Sequence, residues 1–245
     1  MNLILLFDQD KISDNQYRLD DFRAVHIINI LKLKIDDRLK VGFVNGSKFS
    51  AVITEADKKT ITLKLADKIE QEAIASNIDL IVALPRPQIL KKVLFICGMM
   101  NVKRLHLIRS QRVEKSFYQS PLLQDEKINQ NLYEGMMQGE NLRLCDVVIH
   151  DRFKNFFEDY VSANYDASYL KLCADNHAQN SLDIYVKFPQ DNFLIAIGPE
   201  GGWVDFELEL IQSRGFKLIA LGAYNLRVEF AVNAVLSQLS LLSLR

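Results

Sequence analysis

Cysteine is scarce in this chain: three residues in 245, Cys97, Cys145 and Cys173, with no CxxC pair. An odd count without paired spacing excludes a disulfide scaffold and a cysteine zinc site, and it predicts a reduced, cytoplasmic setting. The four histidines, His26, His106, His150 and His177, stand apart without metal-ligand spacing. No metal is expected, and each reads as a surface or satisfied core side chain. Five prolines and ten glycines are too few for a fibrous or low-complexity chain. No run approaches the ~20 uninterrupted apolar residues of a membrane span. The most apolar stretch, 231–244, is broken by Asn233, Ser237, Gln238, Ser240 and Ser243. The opening MNLILLFDQD has no basic lead-in and meets Asp8 too early for a secretory signal. Neither GxxxxGK[ST] nor GxGxxG follows any apolar run, which disfavours nucleoside triphosphate and nicotinamide chemistry.

What is present is a balanced composition: 49% hydrophobic, 25% charged, and a formal net charge of -1. The length is enough to bury a sizeable core in one large domain or two smaller ones. Near-neutrality hides a local excess. Arg86, Lys91, Lys92, Lys103, Arg104, Arg109, Arg112 and Lys115 fall between positions 85 and 115, where Glu114 is the only acid. Charge alone reads equally as the footprint of a polyanion such as RNA or as a solvated helix face plus a loop.

Patterning divides the chain near position 72. Residues 1–72 alternate apolar and polar positions, with tight turns at Asn45-Gly46 and Asp57-Lys58-Lys59, and DDFRAVHIINILKL spaces its apolar residues as a short helix. EQEAIASN, positions 70–77, reads as a polar linker. Over 73–245, apolar runs (DLIVALP, RLHLIRS, LCDVVIH, SYLKLCAD, FLIAIGPEGG, KLIALGAYN) alternate with longer amphipathic stretches. This alternation predicts an α/β domain built on a mostly parallel sheet.

Chemistry is expected where strands run into loops. Phe193–Ile197 leads directly into Gly198-Pro199-Glu200-Gly201-Gly202 and then a helix. Three glycines in five residues allow close approach of a ligand to the backbone, and ligands in open α/β sheets gather at the carboxyl ends of strands. A second strand ends at Leu221-Gly222, and Arg227 and Glu229 mark the junction with a long apolar helix. Glu229 suits a helix start through the macrodipole; Arg227 opposes it, which points to an anionic partner or to an ion pair with Glu200 or Glu229. A third strand end, Leu170–Ala174, precedes the polar DNHAQNS. Three such ends side by side would form an apolar, backbone-lined pocket, better matched to an adenine-bearing sulfonium than to a polyphosphate.

IGPEGG followed by a glutamate-bearing helix, and then LGAYNLRVEFA, resembles the paired C-terminal motifs of the SPOUT methyltransferases, most closely the RsmE family of 16S rRNA uridine-N3 methyltransferases. ALPRPQILKKVLFICGMMN, RVEKS and His26-Ile27 with Ile30-Leu31-Lys32 are similar to further stretches of that family, so the resemblance spans nearly the whole chain. It implies a PUA-like RNA-binding β-barrel over 1–72 and a SPOUT domain with a trefoil knot over 73–245. It also implies S-adenosylmethionine as cofactor, 16S rRNA or the small ribosomal subunit as partner, and a homodimer. By the same matching, Leu172, Cys173, Gly198, Pro199, Glu200, Gly201, Leu221, Gly222, Leu226 and Val228 would line the cofactor site, and Arg227 and Glu229 would be catalytic. RNA would bind Arg86, Arg109, Arg112 and Lys115, together with Arg23 and Lys32.

Departures from the family pattern are Asn225 for isoleucine, Phe230 for threonine, Cys145 for proline and Lys32 for arginine, the last losing bidentate phosphate recognition. Phe230 removes a hydroxyl beside the cofactor loop. The alternatives are a non-catalytic ribosome-assembly factor that keeps the fold, and a SPOUT enzyme acting on another RNA nucleoside.

Overall fold

A computed structural model describes residues 2–70, 76–186 and 192–242. Most of the expected linker, positions 71–75, lies outside the described residues. The chain divides into two compact units, Met1–Ile74 with Met136–Leu144, and Ala75–Gly135 with Cys145–Arg245.

The first unit is a curled six-stranded sheet in the order β1-β4-β5-β6-β3-β2. The strands are β1 (Ile4–Leu6), β2 (Lys11–Ser13), β3 (Gln16–Leu19), β4 (Arg38–Phe43), β5 (Lys48–Ala56) and β6 (Ile61–Ile69). All neighbours pair antiparallel except β1 with β4. The two-residue period buries Ala51 and Ile53 of β5 opposite Leu65 and Leu63 of β6, around Ile4, Leu19, Val41 and Ile61. Asn45, at φ 55°, makes the predicted turn between β4 and β5. The predicted helix is α1 (Phe22–His26), which continues into a π-helical turn, Ile27–Leu31, and stops at left-handed Lys32. Asp21 caps it by accepting from the Arg23 N–H at 2.9 Å.

The second unit is an all-parallel six-stranded sheet, ordered β12-β10-β11-β7-β8-β9. Its strands are β7 (Ile78–Ala83), β8 (Arg104–Ile108), β9 (Asp146–His150), β10 (Tyr169–Ala174), β11 (Asn192–Ile197) and β12 (Lys217–Ile219). β12 stops at Ile219, two residues before the expected end. The central strands are buried on both faces, which is why they read as continuous apolar runs. The order is unusual in one respect. β11 pairs with both β7 and β10, strands that precede it in the chain.

Helices cover this sheet. α2 (Pro87–Met99) starts with Pro87 in its first turn and is followed by left-handed Asn101. α3 (Asp125–Gly139) packs so tightly on α2 that a Cβ at Gly98 would overlap the Leu132 carbonyl, and one at Gly135 the Phe95 carbonyl. A helical stretch runs from α4 (Phe153–Asn155) through a π segment, Phe156–Val161, to α5 (Ser162–Asn164). α6 (Asp205–Ser213) and α7 (Val228–Leu242) follow β11 and β12 respectively. His106 is a satisfied core histidine, and half-buried His150 on the adjacent strand is one of its partners: His106 Nδ1 lies 3.0 Å from His150 Nε2, and His106 Nε2 lies 2.6 Å from the Tyr165 hydroxyl. All three cysteines are free and buried.

Candidate functional site at the carboxyl edge of the parallel sheet

Strand order brings the three predicted strand ends together, because β12, β10 and β11 are consecutive neighbours running the same way. The loops after β10 and β12 are stitched through the main chain: Ala220 N–H donates to Asn180 O at 2.8 Å, and Asp175 N–H to Ile219 O at 3.1 Å. From α7, Gln238 Nε2 donates to Leu221 O at 3.0 Å. Leu172 and Cys173 are fully buried at the end of β10, and burial pushes the Cys173 thiol well up. Pro199 and Val228 are buried, whereas Glu200, Gly201, Gly222 and Leu226 are exposed. Gly202, at φ 73°, makes the bend that residues with a Cβ rarely adopt.

Sequence reasoning missed Trp203. Its ring lies against Gly198, where a Cβ would stand 3.2 Å from the indole. Its buried indole N–H faces the Cys173 thiol but makes no regular hydrogen bond.

The loop after β11 is tied to the loops after β7 and β8. Arg86 N–H donates to Glu200 Oε1 at 3.2 Å, and Arg112 Nη1 donates to Gly201 O. Glu207, on the first turn of α6, is also missed by sequence reasoning, although a glutamate three residues after a helix boundary is the acidic half of a capping box. It is buried, with Oε1 accepting from Gln111 N–H at 2.7 Å and Oε2 from Ser110 Oγ and Val204 N–H, both at 3.2 Å.

Arg227 is exposed, and among the described residues no side chain pairs with it. Neither of the expected ion pairs forms. Glu200 accepts from Arg86, and Glu229 is buried with Oε1 3.0 Å from Lys92 Nζ on α2. Its other oxygen, Oε2, is buried without a partner. Glu229 also lines an open groove of about 560 Å³ between α2, α3 and α7, whose wall includes Lys91, Phe95 and the exposed Phe230.

The basic segment is not one patch. Lys103 and Arg104 sit at the amino end of β8, where Arg104 pairs with Asp146 at 2.7 Å, while Arg109, Arg112 and Lys115 follow its carboxyl end. Arg109 lies over the Tyr118 ring, 5.6 Å from the centroid. Lys32 is exposed in the first unit. Arg23 requires a correction. It is 2% exposed, and its guanidinium is committed to Asp10 at 2.7 Å, Asp21 at 2.8 Å and the Leu5 carbonyl at 2.6 Å. Held by two carboxylates in the core of the first unit, Arg23 serves the fold of that unit and has no exposed guanidinium to offer a phosphate.

Among the described residues no group of His, Cys, Asp and Glu is arranged to hold a metal, and no helix is long and apolar enough to cross a membrane.

Known proteins resemble this chain in sequence and in fold. A family model described as an RNA methyltransferase PUA domain matches residues 19–66, spanning α1, β4, β5 and most of β6. A second, described as an RNA methyltransferase domain, matches residues 71–240. The chain is 29% identical over 236 residues to the ribosomal RNA small subunit methyltransferase E of Treponema pallidum, covering 94% of this chain and 88% of that protein. It is 26% identical over 235 residues to ribosomal RNA small subunit methyltransferase E 1 of Borreliella burgdorferi, covering 96% and 95%. The crystal structure of a ribosomal RNA small subunit methyltransferase E from Neisseria gonorrhoeae bound to S-adenosyl methionine superposes with a TM-score of 0.77 at 17% identity, over 99% of this chain and 98% of that one, a likeness of fold. With more than half of its length matched by the second model, this chain belongs to the RNA methyltransferase domain family.

Proposed function

We propose that this protein transfers a methyl group from S-adenosylmethionine to uracil N3 of 16S rRNA in the small ribosomal subunit. The observation that carries the reading is the meeting of three strand-end loops on adjacent strands, with the unpaired Arg227 at the end of the third. The names of the two bacterial relatives support ribosomal RNA as the substrate.

The residues fit the donor. Gly198, Pro199, Gly201, Leu221, Gly222 and Leu226 offer main-chain donors and acceptors, Leu172, Cys173 and Val228 are buried apolar side chains, and only a glycine leaves Gly198 free of the Trp203 ring, which a Cβ would meet at 3.2 Å. When bound, S-adenosylmethionine supplies a methyl group made electrophilic by its sulfonium. The chain's own part is placement and charge. N3 of uracil becomes a nucleophile when its proton leaves and negative charge spreads to O2 and O4; on this reading Arg227 holds that charge. Glu200, exposed on the loop, is the carboxylate open to take the proton. Glu229, buried against Lys92, holds the first turn of α7 and so positions Arg227.

The same reading assigns RNA contact to Arg86, Arg109, Arg112, Lys115 and Lys32, divides the labour between 1–72 and 73–245, and sets the protein in the cytoplasm. The late insertion of β11 between β7 and β10 supports the trefoil knot, which runs against the usual unknotted topology. A homodimer through α2, α3 and α7 is supported by the groove between them and by Phe230 and Leu241, 55% and 59% exposed on α7. Exposed Phe230, where the resembled family carries threonine, is what favours the second reading, a non-catalytic assembly factor.

Mass spectrometry of rRNA nucleosides from a deletion strain tests the proposal. N3-methyluridine disappears from small-subunit RNA and returns with the wild-type gene. Unchanged N3-methyluridine rejects the assignment.

A further inference from the structure

The loop Gly198–Gly202 has two sets of neighbours. On one side are the loops after β10 and β12, where the donor is proposed to sit; on the other are the loops after β7 and β8, which carry Arg86, Arg109, Arg112 and Lys115. Among the described residues, the hydrogen bonds that tie it to other loops run to the second set. Arg112 holds the Gly201 carbonyl, and a Cβ on Gly201 would stand 3.1 Å from Arg112 Cδ, so the arginine stem lies along the loop. Glu207 closes the arrangement from beneath. Its buried carboxylate is satisfied by three neutral donors, two of them from Ser110 and Gln111, immediately before Arg112. A buried carboxyl that lost one of these donors would carry the cost of an unpaired polar atom, so the donors and the carboxyl hold one another in place. The conformation of residues 110–112 and that of the glycine loop are therefore one structural variable.

We infer that Glu207 is a positioning residue which, together with Arg112, couples RNA binding to cofactor binding. The inference rests on the function proposed above. One terminal nitrogen of Arg112 holds Gly201, and the planar fork leaves its second edge open to a phosphate. A phosphate that fixes Arg112 fixes the Gly201 carbonyl with it, and so pre-pays the ordering of the cofactor loop. Because linkage is reciprocal, bound cofactor raises RNA affinity by the same factor.

The test is calorimetric titration of S-adenosylhomocysteine, which binds without turnover, into the full-length protein alone and into the protein saturated with purified small ribosomal subunits. The readout is the ratio of the two affinities in the wild type, in Glu207→Gln and in Arg112→Ala. The wild-type ratio is expected to be about fivefold or more. In Glu207→Gln one acceptor oxygen becomes an amide that faces N–H donors, and the ratio falls toward one. Arg112→Ala removes an exposed side chain, so it tests the coupling without burdening the fold. A merely structural role would lower both affinities together and leave the ratio intact. A wild-type ratio of one, or variants that keep the wild-type ratio, overturns the inference while leaving the proposed function standing. If the wild type binds no S-adenosylhomocysteine with or without subunits, both fall.

Discussion

Lys92 Nζ on α2 lies 3.0 Å from Glu229 Oε1 on α7, and the carboxylate is 2% exposed while the lysine reaches solvent. This pair fastens the first turn of the helix that carries Arg227 at its start. Leaving Glu229 buried without its cation exposes the desolvation cost of the charge. Lys92→Met is expected to lower stability by roughly 1–3 kcal/mol, and Glu229→Gln by less, because an amide needs no counter-charge. Urea midpoints of the two variants check this ordering.

Gly135 meets the Phe95 carbonyl of α2 so closely that no Cβ fits, and the obstacle is backbone rather than a side chain that can swing away. Gly135→Ala is expected to cost about 3 kcal/mol. Gln130→Ala, on an exposed position of the same helix, should stay within about 0.5 kcal/mol of wild type. Equal midpoints for the two variants would mean that α2 and α3 do not pack this tightly.

His106 is pushed down to about 3 by burial, by neighbouring His150 and by Arg104, and burial also lowers His150. The unfolded chain takes up the His106 proton near the ordinary value of 6.5, while the folded chain refuses it until far lower pH. Stability therefore falls as pH drops from about 6.5 toward 3. Buried Asp79, shifted up by desolvation, opposes this trend. Unfolding free energies of wild type and His106→Gln between pH 7 and 4 should converge as pH falls; parallel curves would remove His106 from the account.

Arg23 and Lys32 separate structure from recognition in the first unit. Arg23→Met leaves Asp10 buried without its partner and is expected to destabilise by about 3–5 kcal/mol. At temperatures where it stays folded, it should keep the wild-type salt dependence of RNA binding. Arg109→Ala and Lys32→Ala should each lower the salt slope by about one. A reduced slope in Arg23→Met would return that residue to the RNA surface.

How much of this was legible depends on range. DLIVALP, RLHLI and FLIAI announce β7, β8 and β11 because strands buried on both faces are apolar throughout. The glycine loop and Arg227 stand out because a helix start and a strand end restrict which residues fit. The insertion of β11 between β7 and β10 leaves no local trace, since neighbours in a sheet are chosen by packing across more than a hundred residues. Met136–Leu144 joins the first unit although α3 reads as one unbroken helix. The cations from Arg86 to Lys115 make one excess along the sequence, but β8 carries the chain across the sheet and parts Arg104 from Arg109. Arg23 looked available because its acids, Asp10 and Asp21, are paired with it only by folding.

The central claim is that the loops after β10, β11 and β12 hold the methyl donor while Arg227 serves the acceptor. Titrating S-adenosylmethionine into wild type and Arg227→Ala, with methyl transfer to small ribosomal subunits measured on the same samples, tests it most directly. The expected result is cofactor affinity within about threefold of wild type and turnover lower by roughly a hundredfold or more. No cofactor binding by the wild type, or full turnover by Arg227→Ala, would contradict it.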